Sequence, residues 1–117
     1  MIRIKRAYEP ASGADGKRIL VERLWPRGIR KADLVLDEWR KEVAPSTELR
    51  KWYGHRLERW PAFVQRYRAE LDANPDGWLP IAQAVDTGTV TLIYAARDDA
   101  QNSALVLRDY LAEKRAG

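Results

Sequence analysis

The sequence has no cysteine and a single histidine, His55. Without thiols the chain forms no disulfide, binds no iron–sulfur cluster, offers no thiolate to zinc and has no cysteine nucleophile. One imidazole likewise excludes a multi-histidine metal centre within one chain. Long apolar runs are missing too, none approaching the roughly 20 residues that span a bilayer. Met1-Ile2-Arg3-Ile4-Lys5-Arg6 has no signal-peptide apolar core, so the expected location is cytoplasmic, with no membrane partner. There is no Walker A loop, no Gly-x-Gly-x-x-Gly turn, no Gly-x-Ser-x-Gly elbow and no metal-ligand spacing. ATP hydrolysis, dinucleotide binding, serine hydrolysis and zinc chemistry therefore lose their usual signatures, and no cofactor is expected.

What is present fits one ordered domain over residues 1–117, with 45% hydrophobic and 32% charged residues. The charge is unevenly placed. Residues 1–60 carry 15 Lys and Arg against 9 Asp and Glu, whereas residues 61–117 carry 6 against 8. Arg outnumbers Lys 15 to 6, and guanidinium pairs bidentately with phosphate and carboxylate. Trp25, Trp39, Trp52 and Trp60 lie in the basic half among Arg23, Arg27, Arg40, Arg50, Arg56 and Arg59. Such interleaving suits phosphate pairing with base stacking, although core tryptophans beside a solvated arginine face give the same pattern.

Ile2–Tyr8 alternates apolar and basic residues as a half-buried strand does, and Glu9–Gly16 is turn chemistry. Arg18–Leu24 reads as a second strand, leading into a Trp25–Lys31 loop. Residues 32–44 are ambiguous: Asp33–Leu36 as a short strand with Asp37–Val43 as a short helix is one reading, ended by Ala44-Pro45. Ser46 suits an N-cap for a helix over Thr47–Tyr53 that Gly54 stops. Trp60, Phe63, Val64, Tyr67 and Leu71 form one helical stripe; Trp78, Ile81, Ala82 and Val85 form another, behind an Asn74-Pro75 cap. Val90–Ala96 reads as a strand buried on both faces, and Ala104, Leu107 and Leu111 as a last helix capped by Asp98 or Asp99. The expected fold is a small α/β domain whose short, partly parallel sheet is covered by helices.

Ligands of open α/β sheets sit beyond the carboxyl ends of the strands, here Arg23–Lys31 and Arg97–Asn102. In Arg23-Leu24-Trp25-Pro26-Arg27-Gly28, two guanidinium groups flank a stiff Trp-Pro corner, with Trp25 as a wall and Gly28 permitting close backbone approach. Ser46, Arg50 and Tyr94 complete the expected ligand-binding set. Asp98 and Asn102, four apart, and His55, after a helix end, are the candidate catalytic residues. An N-cap role accounts for Asp98 equally well, and a C-cap or hydrogen-bonded structural role is the commoner one for a lone histidine. Glu22 shares a strand face with Leu20 and Leu24. A buried carboxylate there needs a partner, and an arginine is the expected one.

Residues Val21–Gly28, Trp39–Ser46 and Glu48–His55, continued by Phe63, Tyr67, Glu70-Leu71, Leu92–Asp98 and Asn102, resemble the YeaO-like branch of the DUF488 family over nearly the whole chain. The resemblance implies a small α/β domain of bacterial cytoplasmic type and no settled reaction. The broader family pairs an Asp-x-Arg-type loop with a late Cys-Glu and Cys-His-Arg pattern. This chain has Glu22-Arg23-Leu24-Trp25 at the first place and Ala95-Ala96-Arg97-Asp98 with Asn102 at the second. The cysteines and the late histidine are absent, and with them any chemistry that rests on them.

Three functions stay open at this level. One is binding of an anionic, nucleotide-like small molecule at the strand ends, with or without catalysis. Another is nucleic-acid binding by the basic half, and the third is a protein-interaction or homodimer surface made by exposed aromatics. The oligomeric state is left open.

Overall fold

The structure, a computed structural model, describes residues 1–116. Four strands form one sheet: β1 (Ile2–Arg6), β2 (Lys17–Leu20), β3 (Glu38–Trp39) and β4 (Val90–Tyr94). Their order is β1-β4-β2-β3 and every pairing is parallel, so the sheet is parallel throughout. With β1 on one side and β2 on the other, β4 has no solvated edge, which explains its run Val-Thr-Leu-Ile-Tyr with all five residues buried.

The helices α1 (Thr47–Tyr53), α2 (Trp60–Asp72), α3 (Pro75–Thr87) and α4 (Ser103–Ala116) contribute to one large core. Ile19, Val90, Leu92 and Tyr94 of the sheet meet Phe63, Tyr67, Leu71, Ile81, Leu107 and Leu111 there. The other face has no helix. Leu20 and Ile93 pack with Ala7 and Leu34, backed by Trp25, Ile29, Leu36 and Trp39. Helices thus cover one face only, and connecting segments cover the second.

Two segments depart from expectation. β2 ends at Leu20, because the Glu22 carboxylate takes the Ala95 N–H that a longer strand would engage. Asp33–Leu36 is not a strand. Lys31–Asp33 is a 3-10 turn, and Asp37 is tied to Arg18 through its carboxylate and its N–H, each at 2.8 Å. The third strand falls instead at Glu38–Trp39, and the expected helix shrinks to a 3-10 turn at Lys41–Val43.

Helix ends follow local chemistry. Asn74 does not cap α3 with its side chain; its Nδ2 donates to the Glu42 carbonyl at 2.9 Å. Pro80 inside α3 has no N–H for the Asp76 carbonyl one turn back, and Arg40 Nη2 donates to that carbonyl at 3.4 Å. Nor does Asp98 or Asp99 cap α4. Asn102 does so, its Oδ1 accepting from Leu105 N at 2.9 Å.

Candidate functional site

The carboxyl ends of β2 and β4 lie side by side, joined by Glu22. Val21 N donates to Ile93 O at 3.1 Å, and Glu22 Oε2 then accepts from Ala95 N at 3.0 Å. Desolvation of this half-buried carboxylate pushes it above its ordinary value, opposed by the Ala95 N–H and the charge of Arg50. Arg50 therefore stands within electrostatic reach of Glu22. Yet it forms no ion pair with any carboxylate among the described residues.

The helix that presents Arg50 is seated from below. Ser46 caps α1 by accepting from Leu49 N at 3.1 Å. The Ser46 N–H and hydroxyl both donate to Glu70 of α2, at 2.8 and 2.5 Å. Arg23 donates from Nε to Pro45 O at 3.0 Å and from Nη2 to Ala44 O at 3.1 Å, so it clamps the exit of β2 to the entry of α1. Tyr67 is buried between them and donates to Val43 O at 2.7 Å. Burial, reinforced by the Glu22 and Glu70 charges, raises its phenol far above the ordinary range.

Opposite α1 runs the loop from β4 to α4. The exposed Asp98 carboxylate accepts from Ala100 N at 2.8 Å and Gln101 N at 2.9 Å. The buried Asn102 donates from Nδ2 to Asp98 O at 3.0 Å. Burial and the Asp98 charge both raise the Tyr53 phenol of α1, which places this loop within electrostatic reach of that helix. Tyr94 is raised by burial and by Asp99 and Glu9, against Arg6. The amides of Ala95, Ala100, Gln101 and Leu105 thus have acceptors in Glu22, Asp98 and Asn102.

Not every expected residue belongs to this edge. Trp25 donates from Nε1 to Ile29 O at 2.6 Å, closing its own loop, and meets Trp39 edge-on at 5.4 Å. Arg27 is exposed, and its carbonyl accepts the Tyr8 hydroxyl at 2.9 Å. Gly28, with φ +79°, lines a cavity of about 370 Å³ with Ala7–Ala11, Arg18 and Asp33–Val35. Arg23 and Arg27 thus engage different surroundings, one the start of α1, the other the loops over the helix-free face. His55 is exposed, at φ 58° just past the Gly54 cap, with its ring 6.3 Å from that of Tyr53.

Two members of the edge are weakly signalled in the sequence. Glu70 sits among the polar residues of α2, and nothing local shows that it reaches Ser46 across 24 positions. Tyr53 reads only as the end of a short helix. Glu22 is the readable one, and its environment gives a testable sign. A carboxyl raised in the fold favours folding below its unfolded value of about 4.5, and that contribution is lost as pH rises through the folded pKa. Glu22→Gln keeps an acceptor for Ala95 N and removes the titration. Urea midpoints of variant and wild type should agree near pH 4, with the variant the more stable at pH 8. A variant less stable at pH 8 would mean that the Arg50 attraction outweighs desolvation.

Among the described residues no group of three His, Asp or Glu side chains is placed to hold a metal ion, and no helix is long and apolar enough to cross a membrane. The chain is 48% identical over 110 residues to the uncharacterized protein YeaO of Escherichia coli, spanning 94% of this chain and 96% of that one. It is 41% identical over 110 residues to the uncharacterized protein Rv3073c of Mycobacterium tuberculosis, spanning 94% and 92%. No solved structure matches it. The family model that matches, over residues 1–116, is DUF488-N3i, described as the inactive DUF488-N3 subclade. With that match and a relative at nearly half identity, the chain belongs to the DUF488 family, in its YeaO-like branch.

Proposed function

We propose that this chain is a binding domain without turnover, holding a small anionic, nucleotide-like molecule at the sheet edge between α1 and the β4–α4 loop. The observation that carries the reading is Arg50. Its guanidinium is half-buried on a seated helix, faces the field of Glu22 and has no carboxylate partner among the described residues. A guanidinium so placed offers a phosphate two parallel N–H donors. Burial already raises the Glu22 carboxyl, and an anion entering its field would raise it further, so anion and proton binding are coupled at this edge. The half-buried Tyr53 supplies aromatic surface at the same edge, whereas Tyr94, 3% exposed, is part of the core beneath it; Asp98 and Asn102 shape the opposite wall. Turnover is left out because the chain has no cysteine and its subclade is described as inactive.

The test is calorimetric titration with AMP, ATP and inorganic phosphate, beside melting curves. As pH falls, the wild type should gain nucleotide affinity relative to Glu22→Gln, because the anion favours protonated Glu22 and the variant cannot titrate. Arg50→Ala should weaken it roughly ten- to hundredfold, the range for one hydrogen bond to a charged group. The free variant should melt close to wild type. Absence of binding by all three probes at millimolar concentration, or equal binding by Arg50→Ala, would end this reading.

A further inference from the structure

A second cationic surface lies where α1, the turn after it and the start of α2 meet, and it shares no residue with the Glu22–Arg50 edge. At its centre is Trp52, half-buried, with its inner side against the main core. Two guanidinium groups lie over its ring, Arg66 at 4.0 Å and Arg59 at 5.0 Å from the centroid. Arg59 also donates to the Trp52 carbonyl, which fixes the turn at Leu57–Arg59 to α1. Lys51 and Arg56 stand exposed on the same stretch, as does Leu57.

None of Lys51, Arg56, Arg59 and Arg66 is ion-paired among the described residues. Elsewhere many arginines are: Arg18, Arg30, Arg40, Arg68, Arg108 and Arg115 each meet a carboxylate. The acidic side chains on the stretch are the exposed Glu48 and Glu58, and neither is ion-paired among the described residues. The surface therefore keeps a net positive charge, and two of its four cations, Arg59 and Arg66, are planar groups centred over an indole.

We propose that this surface binds single-stranded nucleic acid. Charge alone would suit any polyanion, but a guanidinium lying on an indole does more. Held flat by Trp52, Arg66 presents its outer face for a base to stack on, and its rim N–H groups remain free for a phosphate. Lys51 and Arg56 extend the positive track for the neighbouring phosphates, and Leu57 offers apolar contact to a base or sugar. Readout by stacking is tolerant of sequence, so little base preference is expected.

The experiment is fluorescence anisotropy with labelled 12-nucleotide poly-dT and poly-rU between 50 and 250 mM salt, using the full chain. Wild type should bind with an affinity that falls as salt rises, by about 0.7 log unit per phosphate neutralised for each tenfold change in salt. The Lys51→Ala, Arg56→Ala, Arg66→Ala triple variant should reduce that slope by about 2. All three side chains are exposed, so its far-UV spectrum and melting should stay close to wild type. Arg66→Lys keeps the charge and loses the planar group, so it should weaken binding with an unchanged slope, an effect charge alone does not give. Arg30→Ala, at a separate exposed ion pair, should change nothing. Undetectable binding at 50 mM salt, a triple variant that binds like wild type, or duplex and heparin bound as tightly as poly-dT would each overturn the proposal. The Arg50→Ala variant separates the two sites, since loss of nucleotide binding with poly-dT affinity intact is expected if both proposals hold.

Discussion

Asp15→Ala is expected to destabilise the fold by about 3–5 kcal/mol, the cost of leaving a buried charge without its partner. Asp15 is 1% exposed and Arg18 4%, with Arg18 Nη1 on Asp15 Oδ2 at 2.5 Å. The same carboxylate accepts from Ser12 N at 3.0 Å and from Lys5 Nζ at 3.1 Å. Truncation leaves the guanidinium, 4% exposed, without its carboxylate and with Nε on Val35 O at 2.7 Å as its other contact. Melting should fall by roughly 10–20 °C at this chain length. The pH dependence has a definite sign. Burial alone would raise this carboxyl, but hydrogen bonds from Ser12, Lys5 and Arg18 outweigh it and hold it below 3.8. Its contribution is thus fully present above about pH 4 and is lost as pH falls through the folded value. Wild type and variant should therefore converge in acid. A double variant, Asp15→Ala with Arg18→Met, should recover much of the loss, since removing both charges removes the stranded one. A single variant that costs under 1 kcal/mol would mean that Arg18 finds water or another acceptor.

The network explains why the alternation in β1 was readable. Ile2 and Ile4 turn to the helix-covered core, whereas Arg3 donates to Ala14 O and Lys5 to Asp15 on the other face. Period-two patterning reports which face a residue takes, and here the polar face is occupied by a connecting segment rather than by water. The stripes of α2 and α4 and the continuous apolar run of β4 were legible for the same reason, since each buries a face long enough for its period to show. β3 was not legible. A two-residue strand has no period, and what places it is the tie between Asp37 and Arg18, residues 19 apart. The lack of a helix on the second face also left no local trace, because Trp25, Ile29 and Leu34 cover it as single residues from irregular chain.

The edge where the strand ends meet was legible in part, and the roles of its residues less so. The rule that ligands gather beyond strand ends pointed to Arg23–Lys31 and Arg97–Asn102. The strand ends are joined just before these segments, by Glu22 and Ala95, and Arg27 and Gly28 lie over the helix-free face instead. Which arginine is committed to the chain's own backbone depends on partners far along it. Arg23 meets carbonyls of residues 44 and 45, and only the fold brings them within 3.1 Å. Arg50, four positions after its N-cap, has no such acceptor among the described residues, so the more unusual of the two local motifs supplies the clamp and the plainer one supplies the open charge. Asp98 shows the same limit. An aspartate just after a strand reads as a cap or a catalytic group, and its two backbone donors, Ala100 and Gln101, come from the turn that it shapes.

The other large effect is expected at Gly16, which joins the 3-10 turn Gly13–Asp15 to β2. Its φ is +63° and ψ −137°, a conformation that costs an L-residue about 1–3 kcal/mol. A Cβ added there would overlap the Thr89 carbonyl, which is backbone and accepts Lys17 N at 3.0 Å. Gly16→Ala must therefore pay the strain and also push β2 away from the start of β4, breaking a hydrogen bond worth about 1 kcal/mol. The expected loss is about 3 kcal/mol or more, read as a fall in the urea midpoint. Gly13→Ala, three residues earlier, meets nothing within 4 Å and should leave the midpoint nearly unchanged. The contrast separates conformation and crowding from glycine content as such, because both changes add the same methyl group to the same turn. Gly16 also lies at the amino end of the sheet, away from Glu22 and Arg50. Gly16→Ala protein that is still folded at low temperature should keep the nucleotide affinity proposed for wild type; a parallel loss of binding would show that the β2–β4 alignment is set from this end, and that the spacing of Glu22 and Ala95 moves with it.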